Sequence, residues 1–222
     1  MNRTPELIVM LTENDATLPN AADLFEQARD ARAAYWGFKD QPLCTQEMAR
    51  LAARMKECGK TVVFEVVEYA EAACLAGART GLEIGCDILM GTVFYDSVND
   101  FCQAHGMKYM PFVGEVTARP SVLGGTAESM FRQAREYLAK GVYGFDLLGY
   151  RYVGDARSLI EAFVRATDAP VCAAGSVNSC QKLDELKAIA PWAFTIGSAF
   201  HDGSFPGSFR EQINFVCEYM ER

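Results

Sequence analysis

The sequence holds no dense run of lysine or arginine, and only two histidines, His105 and His201, among its 222 residues. The first shortage argues against a nucleic-acid surface, which clusters cations against phosphate backbones, and a formal net charge of -8 points the same way. The second leaves little for a histidine metal centre or a Ser-His-Asp triad, since His105 falls in a helix-to-strand turn and His201 beyond the last strand candidate. No apolar run approaches the roughly 20 residues that span a bilayer. The eight cysteines, at positions 44, 58, 74, 86, 102, 172, 180 and 217, form no Cys-x-x-Cys pair, and a chain half hydrophobic has no need of a disulfide framework. Reduced thiols in a cytoplasmic protein are expected, with neither membrane nor nucleic acid as partner. The opening MNRTPELIVMLTEND is apolar only from Leu7 to Leu11 and lacks a small-residue cleavage site, so a first strand is expected there rather than a secretion signal.

Also missing are a linker, a low-complexity stretch and a charge block, which makes residues 1–222 one domain. What is present is a rhythm. Short apolar runs at 6–12, 34–40, 61–67, 87–94, 108–116, 142–150, 170–175 and 192–197 alternate with segments of helical period. In 45–58, Met48, Leu51, Ala52 and Met55 form one apolar stripe opposite Arg50, Arg54 and Glu57. Segments 155–167 and 208–222 repeat the pattern, and Gly59, Gly85, Gly106 and Gly141 stand where a left-handed residue would end a helix. Eight strand-helix units imply a single (β/α)8 TIM barrel. The alternative, an open doubly wound sheet, usually places a glycine-rich turn after its first strand, and here that turn reads TENDAT.

Reactive groups of such a barrel gather at the carboxyl ends of its strands. The last two read AAGSVNSCQKLDEL (173–186) and FTIGSAFHDGSF (194–205), each with Gly-Ser directly after an apolar strand. Glycine lets the backbone approach an oxyanion, and serine hydroxyls and amides donate to it; a tight turn with a helix cap fits either one taken singly. These two segments resemble the corresponding ends of the ribulose-phosphate-binding barrels, in particular those of the histidine-biosynthesis sugar isomerase and its cyclase relative. In that superfamily the last two turns hold a substrate phosphate, so the resemblance implies Gly175, Ser176, Gly197 and Ser198 as phosphate ligands. It covers about the final 35 residues, and the front half departs from it. The family isomerase carries an aspartate in its first strand and another on its fifth, whereas LIVMLT (7–12) has no acid and the fifth run offers Glu115. The Asp-x-Lys-x-x-Asp cluster of the orotidylate decarboxylase group is also missing.

The other strand ends supply the candidate chemistry. Lys39 closes the second run and Glu65 lies in the third, so adjacent strands would bring them face to face, as a proton-transfer pair or as a structural salt bridge. Asp146, in GFDLL, is flanked by apolar residues and has Arg151 downstream to compensate it; Glu115 borders a loop. Those four, Lys39, Glu65, Asp146 and Glu115, are the catalytic candidates. The loop TARPSVLGGT (117–126) offers Arg119 for a second anionic group, and the first loop offers Asn14 and Asp15, the latter equally suited to starting the turn. Asn14, Arg119 and Arg151 are thus the substrate-binding candidates. No cofactor is called for; a Mg2+ among Glu65, Glu115 and Asp146 would be the one metal option, without a spacing that singles it out.

The resulting expectation is an enzyme acting on a small phosphorylated sugar or sugar acid by proton transfer next to a carbonyl, an isomerase or epimerase. The alternatives are an aldolase using Lys39 as a Schiff-base nucleophile and a barrel that only senses a phosphorylated metabolite. The composition is compatible with a homo-oligomer.

Overall fold

The computed structural model describes residues 4–222. Its main sheet consists of β1 (Glu6–Met10), β2 (Tyr35–Lys39), β3 (Thr61–Val66), β4 (Ile88–Gly91), β5 (Lys108–Met110), β6 (Phe145–Leu147), β7 (Val171–Ala173) and β8 (Ala193–Ile196). All neighbours are parallel, in the order β6-β7-β8-β1-β2-β3-β4-β5. The ends of that order meet: the Tyr143 amide donates to the Tyr109 carbonyl at 2.9 Å, the Asp146 amide donates to the Pro111 carbonyl at 3.1 Å, and Phe112 bridges Asp146. The eight apolar runs therefore close into a (β/α)8 barrel, and their unbroken hydrophobicity reflects burial on both faces.

Among the described residues eight α-helices surround it: α1 (Ala21–Ala28), α2 (Thr45–Glu57), α3 (Glu71–Ile84), α4 (Asp96–Ala104), α5 (Ala127–Ala139), α6 (Ala156–Arg165), α7 (Cys180–Ile189) and α8 (Phe209–Glu221). The stripe Met48, Leu51, Ala52 and Met55 is the buried face of α2, and Leu159, Ile160 and Phe163 that of α6. Gly59, Gly85, Gly106 and Gly141 all take positive φ after helices, as a left-handed stop requires. None of the described helices is long and apolar enough to cross a membrane.

Alternation along the strands sorts side chains into two cores. Outward residues such as Trp36, Phe64, Phe145 and Phe194 pack under the helices, while Ile8, Met10, Val63, Ile88, Met90, Met110, Cys172 and Ala193 fill the barrel. At the amino ends of the strands the interior is plugged by Trp192, which meets Tyr35 and Tyr143 edge-on at 5.5 and 6.4 Å. Polar interior residues, Asp146 apart, are left to the carboxyl ends.

The fifth run behaves differently from its sequence reading. β5 stops at Met110, because Pro111 has no amide to continue the ladder and Gly114 turns the chain out at φ 84. Glu115–Thr117 then pairs antiparallel with Val122–Gly124, so the stretch read as a loop is a hairpin above the barrel and Glu115 does not end a barrel strand. A second hairpin follows β1, with Thr12–Glu13 against Ala16–Thr17 and both central residues, Asn14 (φ 50) and Asp15 (φ 59), in the left-handed region typical of two-residue hairpin turns.

Phe25 of α1 is fully buried and meets Trp36 of β2 edge-on at 5.1 Å. Phe25→Ala removes the ring from a close-packed layer and is expected to lower the unfolding free energy by about 3–5 kcal/mol, read from urea denaturation midpoints at unchanged slope.

Candidate active site

Parallel register sets Lys39 of β2 directly opposite Glu65 of β3, with both side chains inside the barrel. The Lys39 ammonium lies 3.0 Å from Glu65 Oε1 and 2.8 Å from Asp15 Oδ1. Asp15 reaches this point because the left-handed turn at Asn14 and Asp15 swings its side chain inward, and because Thr17 Oγ1 clamps the hairpin to β2, accepting from the Lys39 amide at 2.7 Å and donating to the Lys39 carbonyl at 2.8 Å. The same carboxylate accepts from Arg151 Nη1 at 2.9 and 3.0 Å, from the Ser121 amide at 2.7 Å and from Ser121 Oγ at 3.1 Å. A chain of alternating charge results, running from the buried Glu65, Lys39 and Asp15 to the partly exposed Arg151.

Electrostatics follow from that chain. Burial would raise the Asp15 pKa, but Lys39 and Arg151 outweigh it and hold the carboxyl well below the usual range. Burial would lower the Lys39 pKa, but Glu65 and Asp15 reverse it and keep the amine an ammonium. Asp146 goes the other way. It is fully buried, no described residue hydrogen-bonds either carboxyl oxygen, and burial with the added repulsion of Glu65 pushes its pKa well above the carboxylate range. Arg151, the partner that the sequence offers to Asp146, has turned to Asp15, whose hairpin brings its carboxylate over the barrel mouth.

A pocket of about 180 Å³ opens at the carboxyl ends of the strands. Lys39, Glu65, Met10 and Thr195 line it together with Asp15 and Arg151; Gly175, Ser176 and Asn178 line it after β7, and Gly197, Ser198 and Asp202 after β8. Gly175 sits at φ 108, and a Cβ on Gly197 would lie 2.8 Å from Thr12 Oγ1 and 2.9 Å from the Thr12 carbonyl, so neither position tolerates a side chain. The first turn is tied by the Val177 amide donating to the Gly175 carbonyl at 2.6 Å, and by Lys182, which donates to the Ser176 carbonyl and to Asn178 Oδ1.

Eight of the residues singled out in the sequence thus share one pocket: Asp15, Lys39, Glu65, Arg151, Gly175, Ser176, Gly197 and Ser198. Asp146 is inside the barrel in register with Cys172, behind the pocket lining. Glu115 is exposed in its hairpin, Asn14 is exposed at the turn beside Asp15, and Arg119 is engaged outside the pocket by Glu68 at 3.0 Å and by the Val67 carbonyl. With Glu115 carried off, Glu65, Glu115 and Asp146 do not converge, and the described residues contain no group of three or more His, Cys, Asp or Glu side chains placed to hold a metal ion. Sequence reasoning gave too little weight to Asp15 and missed Lys182, Asn178 and Asp202. The signal for Asp15 was the Asn-Asp pair between two threonines, a two-residue turn whose geometry aims the second side chain inward.

The fold and pocket define a parallel barrel with a polar site at the carboxyl ends of its strands. No protein-family model matches the chain, and no curated protein sequence does. Solved structures do. The chain is similar to orotidine 5'-phosphate decarboxylase from Pyrococcus horikoshii OT3, with 13% identity over 97% of this chain and 99% of that one at a TM-score of 0.71. It is similar to N-acetylmannosamine-6-phosphate 2-epimerase from Clostridium perfringens, with 15% identity over 87% and 86% at 0.63, and to N-(5'-phosphoribosyl)anthranilate isomerase from Pyrococcus furiosus, with 9% identity over 98% of each at 0.65. At these identities the likeness shows the fold, a (β/α)8 barrel, as expected from the eight strand-helix units.

Asp15 and Asp146 impose opposite pH slopes on stability. Asp15, with its folded pKa depressed, stabilises above the ordinary value of 3.8 and loses that contribution as pH falls below it. Asp146, with its folded pKa raised, favours the folded state most below 3.8, and stability declines as pH rises from there through its folded pKa. Asp146→Asn is expected to flatten the decline above 3.8 and Asp15→Asn the loss below it, both read from urea denaturation across the pH range.

Proposed function

We propose that the protein is an enzyme that moves a proton next to the carbonyl of a small phosphorylated sugar or sugar acid, an isomerase or epimerase. The observation that carries this reading is that one pocket holds both Gly-Ser turns and the Lys39–Glu65 pair. The phosphate would lie against Gly175-Ser176 and Gly197-Ser198, where side-chain-free backbone permits close approach and hydroxyls can donate. Anchored there, the rest of a small ligand extends over the barrel axis to Glu65 and Lys39. The neighbours support the ligand class, since all three are named for phosphate esters.

In this reading the Glu65 carboxylate takes the proton from the carbon beside the carbonyl, and the C–H electron pair moves through the new C=C bond onto the carbonyl oxygen. The Lys39 ammonium donates a hydrogen bond to that oxyanion, and its pairing with Asp15 fixes its direction. For an isomerase, the hydroxyl proton on the carbon that lost its hydrogen passes to the oxyanion and Glu65 returns its own proton to the former carbonyl carbon, which leaves the carbonyl on the neighbouring carbon. For an epimerase, solvent delivers a proton to the opposite face of the same carbon and Glu65 gives its own to solvent. Burial and the nearby Glu65 charge favour the neutral form of Asp146, which opposes a second negative charge behind Glu65. A Schiff-base aldolase needs Lys39 as a neutral amine, and two carboxylates oppose that.

The test is deuterium wash-in from D2O to phosphorylated aldoses, ketoses and sugar acids, followed by NMR. Exchange is expected in the wild type and should fall about 10²–10⁴-fold in Glu65→Gln, while inorganic phosphate still raises the melting temperature of that variant. Borohydride trapping of substrate on Lys39 would move the assignment to the aldolase. Ligand-dependent melting shifts with neither exchange nor trapping, and undiminished binding in Lys39→Ala and Glu65→Ala, would identify a sensor.

A further inference from the structure

We infer that the unoccupied edge of the Arg151 guanidinium is a carboxylate subsite, so that the substrate is a phosphorylated sugar acid rather than a neutral sugar phosphate. This rests on the phosphate reading of the Gly-Ser turns and narrows the ligand they hold.

The argument begins with a donor inventory. A guanidinium carries five N–H donors in a rigid plane, distributed over Nε, Nη1 and Nη2. In Arg151 every protein contact goes through Nη1, to both oxygens of Asp15 and, at 3.4 Å, to the Ser121 carbonyl. Nε and Nη2 donate to no described residue. They form the edge that meets two coplanar oxygens in a paired hydrogen bond, the geometry of a carboxylate. Because Asp15 is itself held by Lys39 and Ser121, the plane of the fork is fixed before any ligand arrives.

Position supplies the second half. Arg151 lines the pocket and its side chain is 24% exposed, so the fork is accessible without being loose. Its stem runs beside the first phosphate turn, where a Cβ on Gly175 would come 3.1 Å from Arg151 Cγ. Its tip shares Asp15 with Lys39. A ligand anchored at Gly175-Ser176 and reaching toward Lys39 therefore passes beside Arg151. Arg119, the other cation considered for a second anionic group, is spent on Glu68 and the Val67 carbonyl and does not line the pocket.

The test uses the full chain and length-matched pairs that differ only in the carboxylate: 3-phosphoglycerate against glycerol 3-phosphate, and 6-phosphogluconate against glucitol 6-phosphate, by isothermal titration calorimetry with inorganic phosphate as reference. At one length or both, the acid is expected to bind about tenfold or more tightly than its alditol partner, the margin typical of a charge-assisted bidentate contact. Arg151→Lys, which keeps a cation for Asp15 but not the second edge, should erase that margin and leave the alditol phosphates and inorganic phosphate unchanged. The inference is overturned if acids and alditols bind alike at both lengths, or if Arg151→Lys weakens acids, alditols and inorganic phosphate together, which would place Arg151 on the phosphate instead. Failure of inorganic phosphate and of both series to bind would remove the phosphate reading, and this one with it.

Discussion

The Asp15 carboxylate joins four segments that follow or end four different strands. It lies on the hairpin after β1, binds Lys39 at the end of β2, is capped by Ser121 in the hairpin after β5, and pairs with Arg151 in the turn after β6. A buried carboxylate without such compensation would cost several kcal/mol, and so would either cation without it. The four segments are thus mutually dependent: each supplies a charge or donor that would be unfavourable in the others' absence. Asp15 also fixes the Lys39 ammonium and the plane of the Arg151 fork, so the polar half of the pocket is ordered ahead of ligand binding, which lowers the entropic cost of positioning a substrate.

The barrel interior makes this arrangement affordable by segregating its chemistry along the axis. The amino end is sealed by Tyr35, Tyr143 and Trp192, and the middle is filled by aliphatic and sulfur-containing side chains. Only the carboxyl end carries Lys39, Glu65 and Thr195, near enough to the pocket for ligand and solvent to complete their hydrogen bonding. Asp146 is the exception to this gradient. Lying in register with Cys172 and without a hydrogen-bond partner among the described residues, it is tolerated because a neutral carboxyl is far less costly to bury than a charged one.

The two walls of the pocket are built on different physics. The β7 and β8 turns depend on lack of bulk: Gly197 packs against Thr12 and Gly175 adopts a φ closed to other residues. Lys182 ties the first of them through the Ser176 carbonyl and Asn178. The opposite wall depends on charge pairing across strands. Between them lies the pocket of about 180 Å³.

The sequence by itself determined the eight-unit rhythm, the helix stops at Gly59, Gly85, Gly106 and Gly141, the two Gly-Ser turns and the facing of Lys39 and Glu65, because each is a local matter of periodicity, backbone freedom or parallel register. It could not determine where long side chains end. Arg119 and Arg151 are equivalent as residue types, yet Glu68 holds one outside the pocket while Asp15 draws the other in. Glu115 left the barrel because Pro111 interrupted a ladder that apolar composition alone would have extended. Asp15, an ordinary turn residue in the linear chain, became the centre of the site only when closure brought Ser121, 106 positions away, and Arg151, 136 away, to the same mouth. Contacts at such separations are set by the closed barrel, since only there does the desolvation of one charge depend on which others are within reach.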